Sequence, residues 1–182
     1  MKKIGIFMAN GCEEIEGLTF VDLARRAGIE VAMISVSGDK KVIGAHDIVF
    51  ETDIPASYMD YEMLDGIVLP GGMPGTTNLG ESEIVQKVIR DFAAAGKLVA
   101  AICAAPSVLG QAGLLEGKKA TCYPGFEDQM TGATSLAEPV VVDGNIITGR
   151  GMGTAIPFAL AIIAYFLGEE KAREIGTGII YY

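Results

Sequence analysis

Lys97-Leu98-Val99-Ala100-Ala101-Ile102-Cys103-Ala104-Ala105-Pro106-Ser107-Val108-Leu109 decides how this chain folds, because it joins an apolar strand directly to a helix with one sulfur at the junction. An apolar run of strand length without polar alternation is a strand covered on both faces, as in parallel sheets. Pro106 suits the first turn of a helix, and the small residues Ala101 and Ala105, two positions either side of Cys103, permit a sharp turn. This is the layout of a nucleophile elbow, whose side chain projects at the carboxyl end of the sheet. A thiol there lies beside the free N–H groups of a helix start, which lower a cysteine pKa below its ordinary value of about 8.5. The same residues also fit a cysteine that simply packs, since free cysteine is among the most buried residue types.

Outward from this segment, short β-branched runs alternate with longer amphipathic stretches, the signature of crossover units feeding a largely parallel sheet. The predicted strands are Lys3 to Ala9, Glu30 to Ser35, Gly66 to Leu69, Lys97 to Ile102 and Ile146 to Thr148. Ile15 to Ala27 reads as a helix stopped by Gly28, Glu83 to Ala95 as one stopped by Gly96, and Thr154 to Leu167 as one capped by Thr154 with Pro157 in its first turn. Val42 to Thr52 alternates apolar and polar residues, which predicts a small antiparallel excursion off the sheet edge. Asp143-Gly144 predicts the turn of a hairpin between Val140-Val141-Val142 and Ile146-Ile147-Thr148. The class is α/β, a mostly parallel central sheet with helices on both faces. With no linker, repeat or low-complexity tract, residues 1–182 read as a single domain.

Leu69-Pro70-Gly71-Gly72-Met73-Pro74-Gly75 follows a predicted strand, so a glycine-rich loop lies at the same carboxyl edge as Cys103. Backbone N–H groups of Gly72 and Ala104 together would make an oxyanion hole for a carbonyl attacked by Cys103; the alternative is a plain turn. No Lys-Ser or Lys-Thr pair follows, so this is not a phosphate loop. In Gly11-Cys12-Glu13-Glu14-Ile15-Glu16-Gly17, Glu13 and Glu14 read as solvated acids favoured at a helix N-terminus. Glu16 sits among residues that turn toward the sheet. A carboxyl entering a cleft beside a thiolate must hold a proton, and Glu16 then serves as acid or base.

Composition narrows the function classes. Half of the 182 residues are apolar, and 14 basic against 23 acidic residues leave a net charge of −9, which argues against nucleic-acid partners that bind through Lys and Arg patches. The N-terminal apolar run is too short for a signal peptide, and no stretch reaches the roughly 18 apolar residues of a membrane span. The expectation is a cytoplasmic protein with no membrane partner. Cys12, Cys103 and Cys122 show no paired spacing, and with His46 as the single histidine the sequence offers no zinc cluster. No metal and no cofactor are expected.

GCEEIE at Gly11 to Glu16, RRAG at Arg25 to Gly28, LPGG at Leu69 to Gly72, AAICAAP at Ala100 to Pro106 and TGRGMGTA at Thr148 to Ala155 run in order through nearly the whole chain. Together they resemble the DJ-1/ThiJ/PfpI superfamily, nearest to its DJ-1 and YajL branch. That resemblance implies a flavodoxin-like sandwich forming homodimers, a catalytic or redox-sensing cysteine matching Cys103, a protonated glutamate matching Glu16, and backbone donors matching Gly72 and Ala104. Implied activities are a glutathione-independent glyoxalase that converts methylglyoxal to lactate, a protein deglycase, protection against oxidative stress, and a chaperone. The partners so implied are a small 2-oxoaldehyde or a glycated or oxidised protein. The chain departs from the protease-like branch, which has a histidine where Ala104 stands, and from DJ-1-like relatives that bring a histidine to the position of Tyr123. Tyrosine is a poor base at neutral pH. His46 falls in the edge excursion, where a surface or dimer contact is expected. Cys12 reads as packing or as a resolving thiol, and Cys122 as a filler or a pocket residue. The chain's end at Tyr181-Tyr182 is similar to that of bacterial relatives, without the further C-terminal helix of animal DJ-1.

Overall fold

Each apolar run in this chain is short and is stopped by glycine, proline or a polar pair, which favours strands with crossover helices between them. In the computed structural model, which describes residues 1–182, these runs form β1 (Lys3–Met8), β2 (Glu30–Ser35), β3 (Lys41–Ile43), β4 (Val49–Glu51), β5 (Ile54–Pro55), β6 (Gly66–Leu69), β7 (Leu98–Ile102), β8 (Lys119–Ala120), β9 (Thr134–Ser135), β10 (Val140–Asp143) and β11 (Ile146–Gly149). The helices are α1 (Glu14–Arg26), α2 (Gly75–Glu81), α3 (Glu83–Ala94), α4 (Pro106–Gln111), α5 (Ala155–Leu167) and α6 (Glu169–Gly178).

A seven-stranded sheet of order β10-β11-β7-β6-β1-β2-β5 runs through the molecule, parallel throughout except where β10 pairs with β11. Side chains alternate across it with the two-residue period of a strand. Ile4, Ile6 and Met8 of β1 and Leu98, Ala100 and Ile102 of β7 face one core, with Phe20 of α1, Phe158 of α5 and Ile175 of α6. Phe7 of β1 and Val99 and Ala101 of β7 face the other, with Leu79 of α2, Val88 and Ile89 of α3 and Leu109 of α4. No helix is long and apolar enough to cross a membrane. Strand order reverses between β1 and β6, and open α/β sheets place ligand crevices beyond the carboxyl ends of strands at such a point.

Two local expectations are corrected and one is made more specific. The predicted antiparallel excursion is the β3–β4 hairpin, which forms its own two-stranded sheet. It folds back over the loop after β1, where Gly11 N–H donates to Ile43 O at 2.7 Å and Ala45 N–H to Cys12 O at 2.8 Å. In the β10–β11 hairpin Asp143 pairs with Ile146, so the turn is Gly144-Asn145, with Gly144 at φ +63°. Asp143 is held in the strand because its carboxylate accepts from Lys119 N at 2.8 Å. Thr154 does not bond the first amides of α5; its hydroxyl turns back to Gly151, accepting from N at 3.1 Å and donating to O at 2.9 Å.

Candidate active site

Cys103 follows β7 with φ +66°, a left-handed conformation that costs a side-chain-bearing residue about 1–3 kcal/mol. Two backbone bonds hold it there: Cys103 N–H donates to Gly149 O of β11 at 2.9 Å, and Tyr123 N–H donates to Cys103 O at 2.8 Å. Ala101 and Ala105 are fully buried on either side, while Cys103 itself remains partly exposed. The elbow therefore exists because neighbouring strands and loops fix both of its peptide groups, and because alanines leave room for the bend.

The loop after β6 supplies the opposite wall. Gly71 N–H donates to Glu16 Oε2 at 2.8 Å. A Cβ on Gly71 would lie 2.6 Å from Cys103 Cβ and 2.8 Å from Glu16 Oε2, so only glycine lets the three meet. Gly72 takes φ +85° and packs against the backbone of Cys12 and Glu13, whose N–H donates to Gly71 O at 2.9 Å. The amides of Gly72 and Ala104 lie where they favour the Cys103 thiolate. Glu16 is 1% exposed, accepts from Gly71 N through Oε2, and keeps its second oxygen, Oε1, buried with no partner, close enough to Cys103 for the two ionisations to interact. The structure thus brings together Cys103, Glu16, Gly72 and Ala104, and adds Gly71, which sequence reasoning passed over. Its signal was present in the paired glycines, but the contact is made across a separation of 55 residues.

Burial raises the Glu16 pKa to about 7, against the bonds from Gly71 and Cys103. Burial works against the depressed thiol expected from the helix start. Burial first, then the facing Glu16 carboxylate, push Cys103 up to about 12, and the amides of Gly72 and Ala104 only oppose this. The physical reason is that α4 starts three residues beyond the sulfur and spans six residues, too short for a strong dipole to outweigh desolvation. The two groups titrate as a coupled pair, in which ionisation of one disfavours ionisation of the other.

Tyr123 contributes its backbone amide to the elbow and leaves its ring half exposed beside Gly151. Cys12 is wholly buried in the core, its thiol pushed up to about 12 by burial and then by Glu14, which makes it a packing residue. Cys122 is buried in the opposite core, its thiol raised to about 11 chiefly by burial.

Glu14 is a further correction, because it is 3% exposed rather than solvated. Its carboxylate accepts from His46 N at 2.8 Å and meets His46 Nδ1 at 3.0 Å. Burial alone would raise its pKa, but the bonds from the His46 amide and ring outweigh burial and hold it below the usual carboxylate range. Glu13 Oε2 lies 3.6 Å from the same ring nitrogen. Three groups of metal-ligand type, Glu13, Glu14 and His46, therefore converge where sequence spacing showed no cluster.

The sequence profile of the DJ-1/PfpI family matches residues 2–165. The chain is 38% identical over 177 residues to Protein dj-1beta of Drosophila melanogaster, covering 96% of this chain and 95% of that protein. It is 32% identical over 165 residues to a Caenorhabditis elegans protein named glutathione-independent glyoxalase DJR-1.2, covering 90% of this chain and 87% of the relative. Among solved structures it is similar to oxidized Toxoplasma gondii DJ-1, with TM-score 0.93 and 36% identity over 99% of this chain and 98% of that one. The profile match, the identities and the shared fold agree: this chain belongs to the DJ-1/PfpI family.

Proposed function

We propose that the protein is a cofactor-independent glyoxalase of the type named for its nematode relative, acting on small 2-oxoaldehydes such as methylglyoxal, or as a deglycase on the adducts they form with proteins. The carrying observation is geometric. A partly exposed sulfur stands on a strained elbow and faces a buried carboxyl group, with the amides of Gly72 and Ala104 placed to favour its negative charge. As Sγ adds to the aldehyde carbon, the thiol proton passes to Glu16 and the carbonyl oxygen gains the negative charge. The amides of Gly72 and Ala104 then lie beside the charge, as an oxyanion hole requires. Glu16 hands that proton to the adduct oxygen, which gives a hemithioacetal and restores the carboxylate. Glu16 next removes the hydrogen on the former aldehyde carbon and returns a proton to the adjacent carbon through an enediol, leaving a thioester of a 2-hydroxy acid. Water cleaves the thioester, releasing the acid and restoring the thiol. One carbon is oxidised as its neighbour is reduced, so no external oxidant is involved.

The decisive measurement is lactate formed from methylglyoxal without glutathione, comparing the wild type with Cys103→Ser and Glu16→Gln. Each variant is expected to fall by at least about 100-fold, the scale of losing a nucleophile or a general base. Lactate formation that survives both substitutions overturns the reading.

The buried, unpartnered Oε1 of Glu16 favours a second reading, in which Cys103 is a peroxide sensor. The sulfur takes one oxygen from each of two peroxide molecules, each of which leaves as water, and the sulfinate is held by Glu16 and the two amides. Intact mass after graded peroxide is expected to show two added oxygens confined to Cys103; oxidation scattered over other residues removes this reading.

The family resemblance and the exposed apolar side chains Ile15, Ile43, Ile48 and Val49, on the start of α1 and on the β3–β4 hairpin, support assembly as a homodimer.

A further inference from the structure

Beyond the Cys103 site, the β3–β4 connection is built around a carboxylate. Gly44 N–H donates to Ile48 O at 2.9 Å and Ala45 N–H to Cys12 O at 2.8 Å, so the loop closes on itself and on the chain after β1. A Cβ on Gly44 would overlap the Glu14 carboxyl group, so glycine is what admits that side chain. Asp47 takes φ +61° and carries the chain back toward β4. Glu14 Oε1 is taken up by the His46 amide at 2.8 Å, which leaves Oε2 turned to the His46 ring at 3.0 Å. Glu13 is fixed by its backbone bond to Gly71 O, and its side chain is 14% exposed. Its carboxylate accepts no hydrogen bond, and its single charged neighbour within 4.0 Å is His46 Nδ1 at 3.6 Å.

Two features of this arrangement point to a cation. No lysine or arginine pairs with Glu13 or Glu14, so two shielded carboxylates face one imidazole and the cluster stays negative even when His46 is protonated. The donor spacing is also right. Ligands about 2.0–2.1 Å from a tetrahedral zinc ion lie about 3.4 Å from one another. The separations of 3.0 and 3.6 Å from His46 Nδ1 bracket that value, and all three donor atoms lie within 4.8 Å of one another. One imidazole nitrogen with two carboxylate oxygens suits zinc and its transition-metal neighbours rather than magnesium or calcium, which prefer all-oxygen shells.

We propose that Glu13, Glu14 and His46 form a site for one divalent transition-metal ion of zinc type, with Glu13 Oε2, Glu14 Oε2 and His46 Nδ1 as ligands and water in the fourth position. His46 Nε2 then carries the ring proton, on a side chain that is 66% exposed in the single chain. Binding displaces the proton between Nδ1 and Oε2 and joins the start of α1 to the β3–β4 connection through the metal. The site is distinct from the Cys103 thiol and stands whether or not that thiol turns over aldehydes.

The test uses the full chain with cobalt(II) as a spectroscopic substitute and zinc(II) in calorimetry. The expected result is one equivalent bound, with the intense visible absorption of tetrahedral cobalt and no thiolate-to-cobalt charge-transfer band. His46→Ala and Glu13→Gln are expected to weaken binding at least about tenfold, while Cys103→Ser leaves it unchanged. Glu14→Gln is not relied upon, because that side chain also anchors the loop. No saturable binding, binding unchanged in His46→Ala, or binding that disappears with Cys103→Ser overturns the proposal.

Discussion

Cys103 occupies a backbone conformation that glycine adopts freely and cysteine does not. Conformational strain at this residue is separable from its chemistry, because replacing the side chain by alanine keeps the strain and replacing it by glycine removes it. Cys103→Gly is expected to exceed Cys103→Ala in stability by about 1 kcal/mol, the relief of a left-handed residue less the greater chain entropy of glycine. Urea unfolding of the two variants checks this, and equal stabilities would mean that the turn is relaxed. Gly71 makes the complementary demand. Its missing side chain is what allows Cys103 and Glu16 to meet, with 2.6 and 2.8 Å left for an added methyl group. Gly71→Ala is expected to lower the rate of lactate formation by about 100-fold or more while the far-ultraviolet circular dichroism stays native, since displacement of positioned groups by an ångström is enough for such a loss. Glu14 and Glu16 show how two acids two positions apart are both buried. At about 100° per residue they leave the helix on opposite sides, and a different loop covers each side: the β3–β4 connection over Glu14 and the glycine loop over Glu16.

The central elements were legible because their patterns are local. Gly66 to Leu69 and Glu30 to Ser35 are the strands β6 and β2 with the same limits, and β1, β7, β11, α1, α3 and α5 agree to within a residue or two at their ends. Two helices escaped. Gly75–Glu81 begins Gly-Thr-Thr-Asn, a polar sequence of low helical propensity that becomes α2 because Leu79 is buried in the core against α3 and α4. Glu169–Gly178 buries only Ala172, Ile175 and Gly176, too sparse a stripe to stand out, and packs on α5. An element-level contact also sets a pH dependence. Asp65, just before β6, accepts from Lys3 N at 2.9 Å and from Lys2 Nζ at 3.0 Å, tying the start of β1 to the start of β6. Burial would raise its pKa, but the Lys3 amide and Lys2 outweigh it and lower it. A lowered carboxyl pKa contributes stability that is present above the unfolded value of about 3.9 and lost as pH falls through the folded value. Asp65→Asn is expected to destabilise the protein by about 1 kcal/mol at pH 7, discounted for its partial exposure, and the gap should close below about pH 4. A gap independent of pH would assign the effect to packing instead.

At the scale of the whole molecule, four exposed aliphatic side chains on α1 and the hairpin are the surface on which the proposed dimer rests. Ile48→Lys is expected to shift light-scattering mass from dimer to monomer without unfolding, because a charge at an apolar interface is costly to bury. A wild type that is already monomeric at micromolar concentration would dispose of the dimer.

The amino-acid sequence by itself determined the α/β class, the mostly parallel sheet, the family, and the identities of Cys103, Glu16, Gly72 and Ala104 as a candidate site, since these depend on short-range periodicity and on motifs in order. Only the tertiary structure decided how those residues meet and how their protons are shared. Strand order sets the loops after β1, β6 and β7 side by side, and burial there overrides the dipole of a short helix. The same folding-together of distant segments turned a surface histidine and two supposedly solvated acids into one cluster, with His46 separated by 32 residues from the carboxylate it bonds. Spacing along a chain cannot report such a meeting, because it is made by packing and backbone hydrogen bonds between segments that share no local pattern.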